Sequence, residues 1–160
     1  MLGGNFGERS KAISNAMLAD RTSAILKRFQ LNSTGQIELS DQEKSIISDA
    51  VRLIKSSNYG FKATQESPSE MGGFLVFIDS LNIYQASFSA MVHAQMLNSP
   101  GDIPKTLQDV EKIMTEISQG SRPTNLDNAI KFFKAFSEIS SKKALDLVKG
   151  PLPQMPQPQF

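Results

Sequence analysis

The stretch from Phe74 to Val92 constrains the fold more than any other part of this 160-residue chain. Phe74, Phe77, Ile78, Leu81, Tyr84, Phe88, Met91 and Val92 recur at helical spacing. They leave only a narrow polar stripe of Asp79, Asn82, Gln85, Ser89 and His93. A helix that is apolar over most of its circumference belongs among other helices. A bilayer is the other apolar surrounding, but Asp79, Asn82 and Gln85 would cost several kcal/mol at its centre. Ser67-Pro68-Ser69-Glu70 starts this helix with a capping Ser, Pro at the first helical position and Glu at the third. The expectation is one helix from Met71 to Leu97, the central post around which the rest packs.

Four further helices follow from start and stop signals. The first runs from Glu8 to Phe29, with an apolar stripe of Leu18, Ile25, Leu26 and Phe29. Ile13, Met17 and Ala24 lie off that stripe and suit a second, partner-facing contact. Asn32-Ser33-Thr34-Gly35 breaks the pattern. Ser40-Asp41-Gln42-Glu43 is a capping box, in which the Ser40 hydroxyl accepts an N–H of the first turn while Glu43 reaches back. It opens a helix to about Ser56 that buries Ile46, Ile47, Ala50, Val51, Leu53 and Ile54, and a linker follows from Asn58 to Glu66, with Gly60 as the stop. After the turn Asn98-Ser99-Pro100-Gly101, Asp102 caps a helix whose Ile103, Leu107, Val110, Met114 and Ile117 form one seam, ended by Gly120. The last helix starts near Thr124 and runs to Val148, with Ala129, Ile130, Phe132, Phe133, Phe136 and Ile139 on one face. No stretch alternates with period two for long enough to form a sheet. The fold class is therefore all-α, a single-domain bundle of about five helices. Residues 1–7 form a glycine-rich flexible N-terminus, 8–149 the bundle, and 150–160 a proline-rich extended tail of polyproline II character.

Cysteine is absent, which removes disulfides, thiol nucleophiles and thiolate metal sites and fits a reducing, cytoplasmic setting. The segment Met1–Phe6 lacks the charged start and apolar run of a signal peptide. His93 is the only histidine, and its neighbours Gln85, Ser89 and Gln95 are poor metal ligands. It reads as a histidine at the polar edge of a core helix. Asp79 is either a buried carboxylate with a raised pKa or the partner of an Arg from the first helix, Arg21 or Arg28. Gly3-Gly4-Asn5-Phe6-Gly7 has neither the preceding strand nor the following Lys-Ser that a phosphate cradle needs. No catalytic or metal-binding constellation emerges, no cofactor is implied, and the chain is expected not to be an enzyme.

Charge is distributed unevenly beneath a net charge of +1. Residues 1–65 carry nine Lys/Arg against six Asp/Glu, residues 66–120 two against seven, and residues 121–160 six against three. Both end segments are basic and the middle is acidic. Arg9, Arg21, Lys27 and Arg28 on the first helix, and Lys131, Lys134, Lys142 and Lys143 on the last, are the candidates for contact with a nucleic-acid backbone. The competing reading is a plain solvated face, since Asp127, Lys131, Lys134, Glu138 and Lys142 form opposite-sign pairs along the last helix.

In size, all-helical plan and basic outer faces the chain resembles the small helical subunit of CRISPR surveillance complexes. That layout-level resemblance implies a structural, non-catalytic subunit in RNA-guided defence, holding RNA or single-stranded DNA beside other protein subunits, with self-association open. The alternative is a protein-binding adaptor, chaperone, or secretion or phage-assembly component that touches no nucleic acid, docking through the first helix and the proline-rich tail.

Overall fold

The computed structural model describes residues 2–32, 38–65 and 74–149. They form five α-helices and no strand: α1 (Leu2–Leu31), α2 (Asp41–Gln65), α3 (Phe74–His93), α4 (Asp102–Ser118) and α5 (Asp127–Lys149). The all-α bundle read from the sequence is the architecture observed. The Ser67–Glu70 start signal and the proline-rich tail lie outside the described residues.

Helix boundaries follow local chemistry. Ser40 and Glu43 complete the capping box, with the Ser40 N–H donating to Glu43 Oε1 at 3.0 Å and the Glu43 N–H to Ser40 Oγ at 3.2 Å. Asp102 works backwards: its carboxylate accepts the N–H groups of Asn98 at 2.9 Å and Ser99 at 3.1 Å, closing the turn before α4 rather than capping that helix. Asn125, not Thr124, supports the start of α5, its Oδ1 accepting the Asp127 N–H at 3.0 Å. Gly120 ends α4 at φ +84°, with Ser121 N–H donating to Glu116 O and Gly120 N–H to Ile117 O. Those paired bonds satisfy carbonyls that the helix would otherwise leave open. α3 ends in the same way, four residues earlier than the sequence suggested. Gln95 takes φ 57°, while Gln95 N–H donates to Val92 O and Met96 N–H to Met91 O. A non-glycine residue at that left-handed position gives no sequence signal of a stop.

Two expectations are overturned at the glycines. α1 begins at Leu2 rather than Glu8, so residues 2–7, expected to be flexible, are helical. α2 passes straight through Gly60, which is buried inside the helix and not its stop. A Cβ at Gly60 would lie 2.7 Å from the carbonyl carbon of Ser80 and 2.7 Å from Tyr84 Cβ, and in hard contact with the Ser80 carbonyl oxygen. The glycine is there because α3 crosses α2 at that point with no room for a side chain.

α1, α3 and α4 each pack against both α2 and α5. The hub of the core is α5, whose Phe132, Phe133 and Phe136 are fully buried. The Phe132 and Phe133 rings meet edge-on with centroids 5.2 Å apart, and Phe132 and Phe136 stack at 5.8 Å. Leu26 of α1, Ile47 and Ile54 of α2, Met91 of α3, and Leu107, Val110 and Met114 of α4 join the same cluster. The seam of α4 is buried throughout, as its spacing required.

The central-post reading of α3 does not hold. Its buried positions are Ser80, Ser87 and Ala90, small residues that permit close approach, and Met91, which enters the core. Ile78, Phe88 and Val92, by contrast, are 36%, 40% and 55% exposed. Apolarity all round marked α3 for enclosure, but from Ile78 to His93 the bundle covers one side only. No helix among the described residues is long and apolar enough to cross a membrane.

Candidate interaction surfaces

Asp79 and His93 do not converge. The Asp79 carboxylate is exposed and pairs with Lys11 Nζ at 2.7 Å, rather than with Arg21 or Arg28. It lies at the edge of α3 that Lys11, the residue before buried Ala12 of α1, reaches. The two side chains sit in an open depression of about 350 Å³ that also takes in Ser140 and Lys143. His93 sits fourteen residues further along α3, with Nε2 2.9 Å from Glu138 Oε2 on α5. Each group is thus an exposed tie between helices, and Asp79 is not the buried acid considered from sequence. A larger open depression of about 720 Å³ lies where α1, α2 and α4 end or begin, lined among the described residues by Phe29, Leu39, Lys44, Ile47 and Arg122. Among the described residues no group of His, Asp or Glu is placed to hold a metal ion.

The eight basic candidates are scattered over several faces. Arg28 is engaged within the fold, its Nη1 2.7 Å from Glu43 Oε2. The hydrogen bond from Arg28, reinforced by that from the Ser40 N–H, holds the Glu43 carboxyl below its ordinary range. Arg21, seven residues from Arg28, shares its edge of α1, while Arg9 and Lys27 lie along the opposite edge. Lys143 is exposed beside the Lys11–Asp79 pair. Lys131, Lys134 and Lys142 are exposed within an arc of about 80° on α5. Glu138 interrupts them and turns to His93 rather than to the lysines at i±4 that the sequence suggested.

α1 carries a more continuous feature. α1 and α5 run antiparallel, tied by Ser137 Oγ donating to Ala16 O at 3.0 Å and Gln30 Nε2 donating to Asp127 Oδ1 at 2.6 Å. Arg122 adds a bond to Phe29 O at 2.8 Å. Beside Ile25, Leu26 and Phe29, the buried side includes Ala12, Ala16, Ala19 and Ser23, a run of small residues that brings the two helices close. The sequence reading missed these positions because alanine contributes little to an apolar stripe. On the opposite side Ile13, Met17 and Leu31 are 44%, 49% and 87% exposed, with exposed Ala24 between them. This stripe covers about 27 Å of helix. Arg21 and Arg28 border it on one side, Arg9, Lys27 and the exposed Asp20 on the other. The off-stripe positions noticed in the sequence are therefore solvent-facing, and Leu31 extends them.

No family model, curated protein or solved structure matches this chain.

Proposed function

We propose that this chain is a non-catalytic helical subunit of a larger cytoplasmic assembly, bound to another protein through the outer face of α1. The observation that carries this reading is the aligned, exposed row of Ile13, Met17, Ala24 and Leu31 along α1. Large apolar side chains aligned on a solvated helix mark an interaction surface. The row suits a partner that lays the apolar stripe of its own amphipathic helix along α1. The test uses tagged protein recovered from its native source beside an Ile13→Asp/Met17→Asp variant. The variant keeps its helical signal and loses the co-purifying partner. Recovery of the same partner at unchanged stoichiometry would refute the assignment.

A second reading, contact with the phosphate backbone of RNA or single-stranded DNA, is supported by the arc of Lys131, Lys134 and Lys142. None of the three forms an ion pair with a described residue. The resemblance in layout to the CRISPR small subunit belongs with this reading. Backbone contact predicts binding of a labelled single strand that weakens by about 0.7 log units per log unit of salt for each neutralised phosphate. Lys131→Glu/Lys134→Glu weakens it further. No binding at low salt would eliminate this reading and leave the first untouched.

A further inference from the structure

We propose that the outer face of α3 is a self-association surface, on which two copies of this chain pair antiparallel about a two-fold axis at Gln85. The uncovered side of α3 presents Ile78, Leu81, Gln85, Phe88 and Val92, at spacings of three, four, three and four residues. At 100° per residue these five fall within an arc of about 80°, a heptad-like seam facing solvent. Ile78, Phe88 and Val92 are exposed, Gln85 is exposed, and Leu81 is half-buried.

What identifies the occupant is the order of the residues. The seam reads apolar, apolar, amide, apolar, apolar in either direction. An antiparallel copy centred on Gln85 sets Ile78 level with the other copy's Val92 and Gln85 with Gln85, and brings Leu81 within one residue, about 1.5 Å of rise, of its Phe88. A two-fold interface requires a patch that is complementary to itself, whereas an unrelated partner has no need of a palindrome. The amide suits the axis because it both donates and accepts, so two copies satisfy each other. A lone polar residue in an apolar seam also fixes register, since any shift leaves both amides facing hydrocarbon.

Charge permits the approach. No formal charge lies in the arc, so copies meet without like-charge repulsion. The nearest charged positions at its two ends, Asp79 and His93, are already turned to Lys11 and Glu138. Phe88 is also held in place before any partner arrives. Its ring stacks on Tyr84 at 6.3 Å, and Tyr84 in turn leans on Phe61 at 5.7 Å. An exposed aromatic braced in this way loses little freedom on binding. The seam is about 21 Å long and one helix wide, small for a stable interface, so the dimer forms weakly and in proportion to concentration.

The chain has no native cysteine, which makes crosslinking a clean test. Gln85→Cys puts two thiols on the axis, while Ser141→Cys, exposed on α5, reports random collision. Under mild oxidation Gln85→Cys yields disulfide-linked dimer at least about tenfold faster than Ser141→Cys, because pairing raises the local thiol concentration. In sedimentation the wild type gains mass with concentration, and Val92→Asp remains a monomer while keeping its helical signal. Equal crosslinking at the two positions would overturn the proposal, as would a wild type that stays monomeric throughout. A dimer that survives Val92→Asp would place the contact elsewhere, including on α1, and would also overturn it.

Discussion

Replacing Gly60 by alanine is expected to destabilise the fold, although alanine is the better helix former. In an open helix the exchange would gain about 1 kcal/mol. At Gly60 the added Cβ would lie 2.7 Å from both the Ser80 carbonyl carbon and Tyr84 Cβ, against the roughly 3.5–4.0 Å of an ordinary carbon contact. α2 and α3 would have to part by about 1 Å along their crossing. The obstacles are backbone and Cβ atoms, which have no alternative rotamer, so the cost falls at the upper end of the ~1–3 kcal/mol range for overpacking. Subtracting the propensity gain leaves a net loss of about 2 kcal/mol. For a domain of this size that lowers the melting temperature by roughly 4–8 °C. Urea unfolding followed by far-UV circular dichroism should show a lower midpoint with an unchanged slope. Gly7→Ala is the control, since a Cβ there meets nothing within 4 Å. That variant should be neutral or gain up to about 1 kcal/mol. A Gly60→Ala protein as stable as the wild type would show that the crossing is not tight and refute the reasoning.

Three further outcomes follow from the helix ends. Ser40→Ala should cost about 1 kcal/mol by opening the start of α2, read from the same urea titration. Glu43 is held below its ordinary pKa by Arg28 and Ser40, so its contribution is complete above the unfolded carboxylate range and disappears as pH falls through the lowered folded value. The stability gap between wild type and Glu43→Gln should therefore close on acidification. A gap that does not change with pH would detach the effect from the carboxylate. Gln95→Gly should stabilise by about 0.5–1 kcal/mol, because glycine takes the left-handed conformation without steric cost. A lower midpoint for that variant would show that the Gln95 side chain contributes more than its backbone costs.

Helix periodicity and capping chemistry were the legible part of this sequence. The seam of α4, the phenylalanine face of α5 and the Ser40–Glu43 box could be read because each depends on residues a few positions apart. Gly60 could not be read as a crossing point, since what excludes a side chain there is Ser80, distant in sequence. The close side of α1 was hidden because it is built from alanines and a serine, whose role is to be small rather than apolar. α3 misled for the converse reason: Ile78, Phe88 and Val92 face outward while Ser80, Ser87 and Ala90 face inward, an inversion that composition alone does not show. The basic candidates were found by charge. Which of them share a face, and that Arg28 is already occupied by Glu43, depended on how the helices are placed.

The pairing of α1 with α5 has a consequence for how the chain comes to be made. Ala16 and its partner Ser137 are 121 residues apart. At about 5–20 residues per second on the ribosome, the first helix waits roughly 6–24 s before the one it lies against has been synthesised. Through that interval the alanine-lined side that α5 later covers is as open as its outer one. The earliest visitor to α1 in a cell therefore meets two bare sides of a helix that later offers only one.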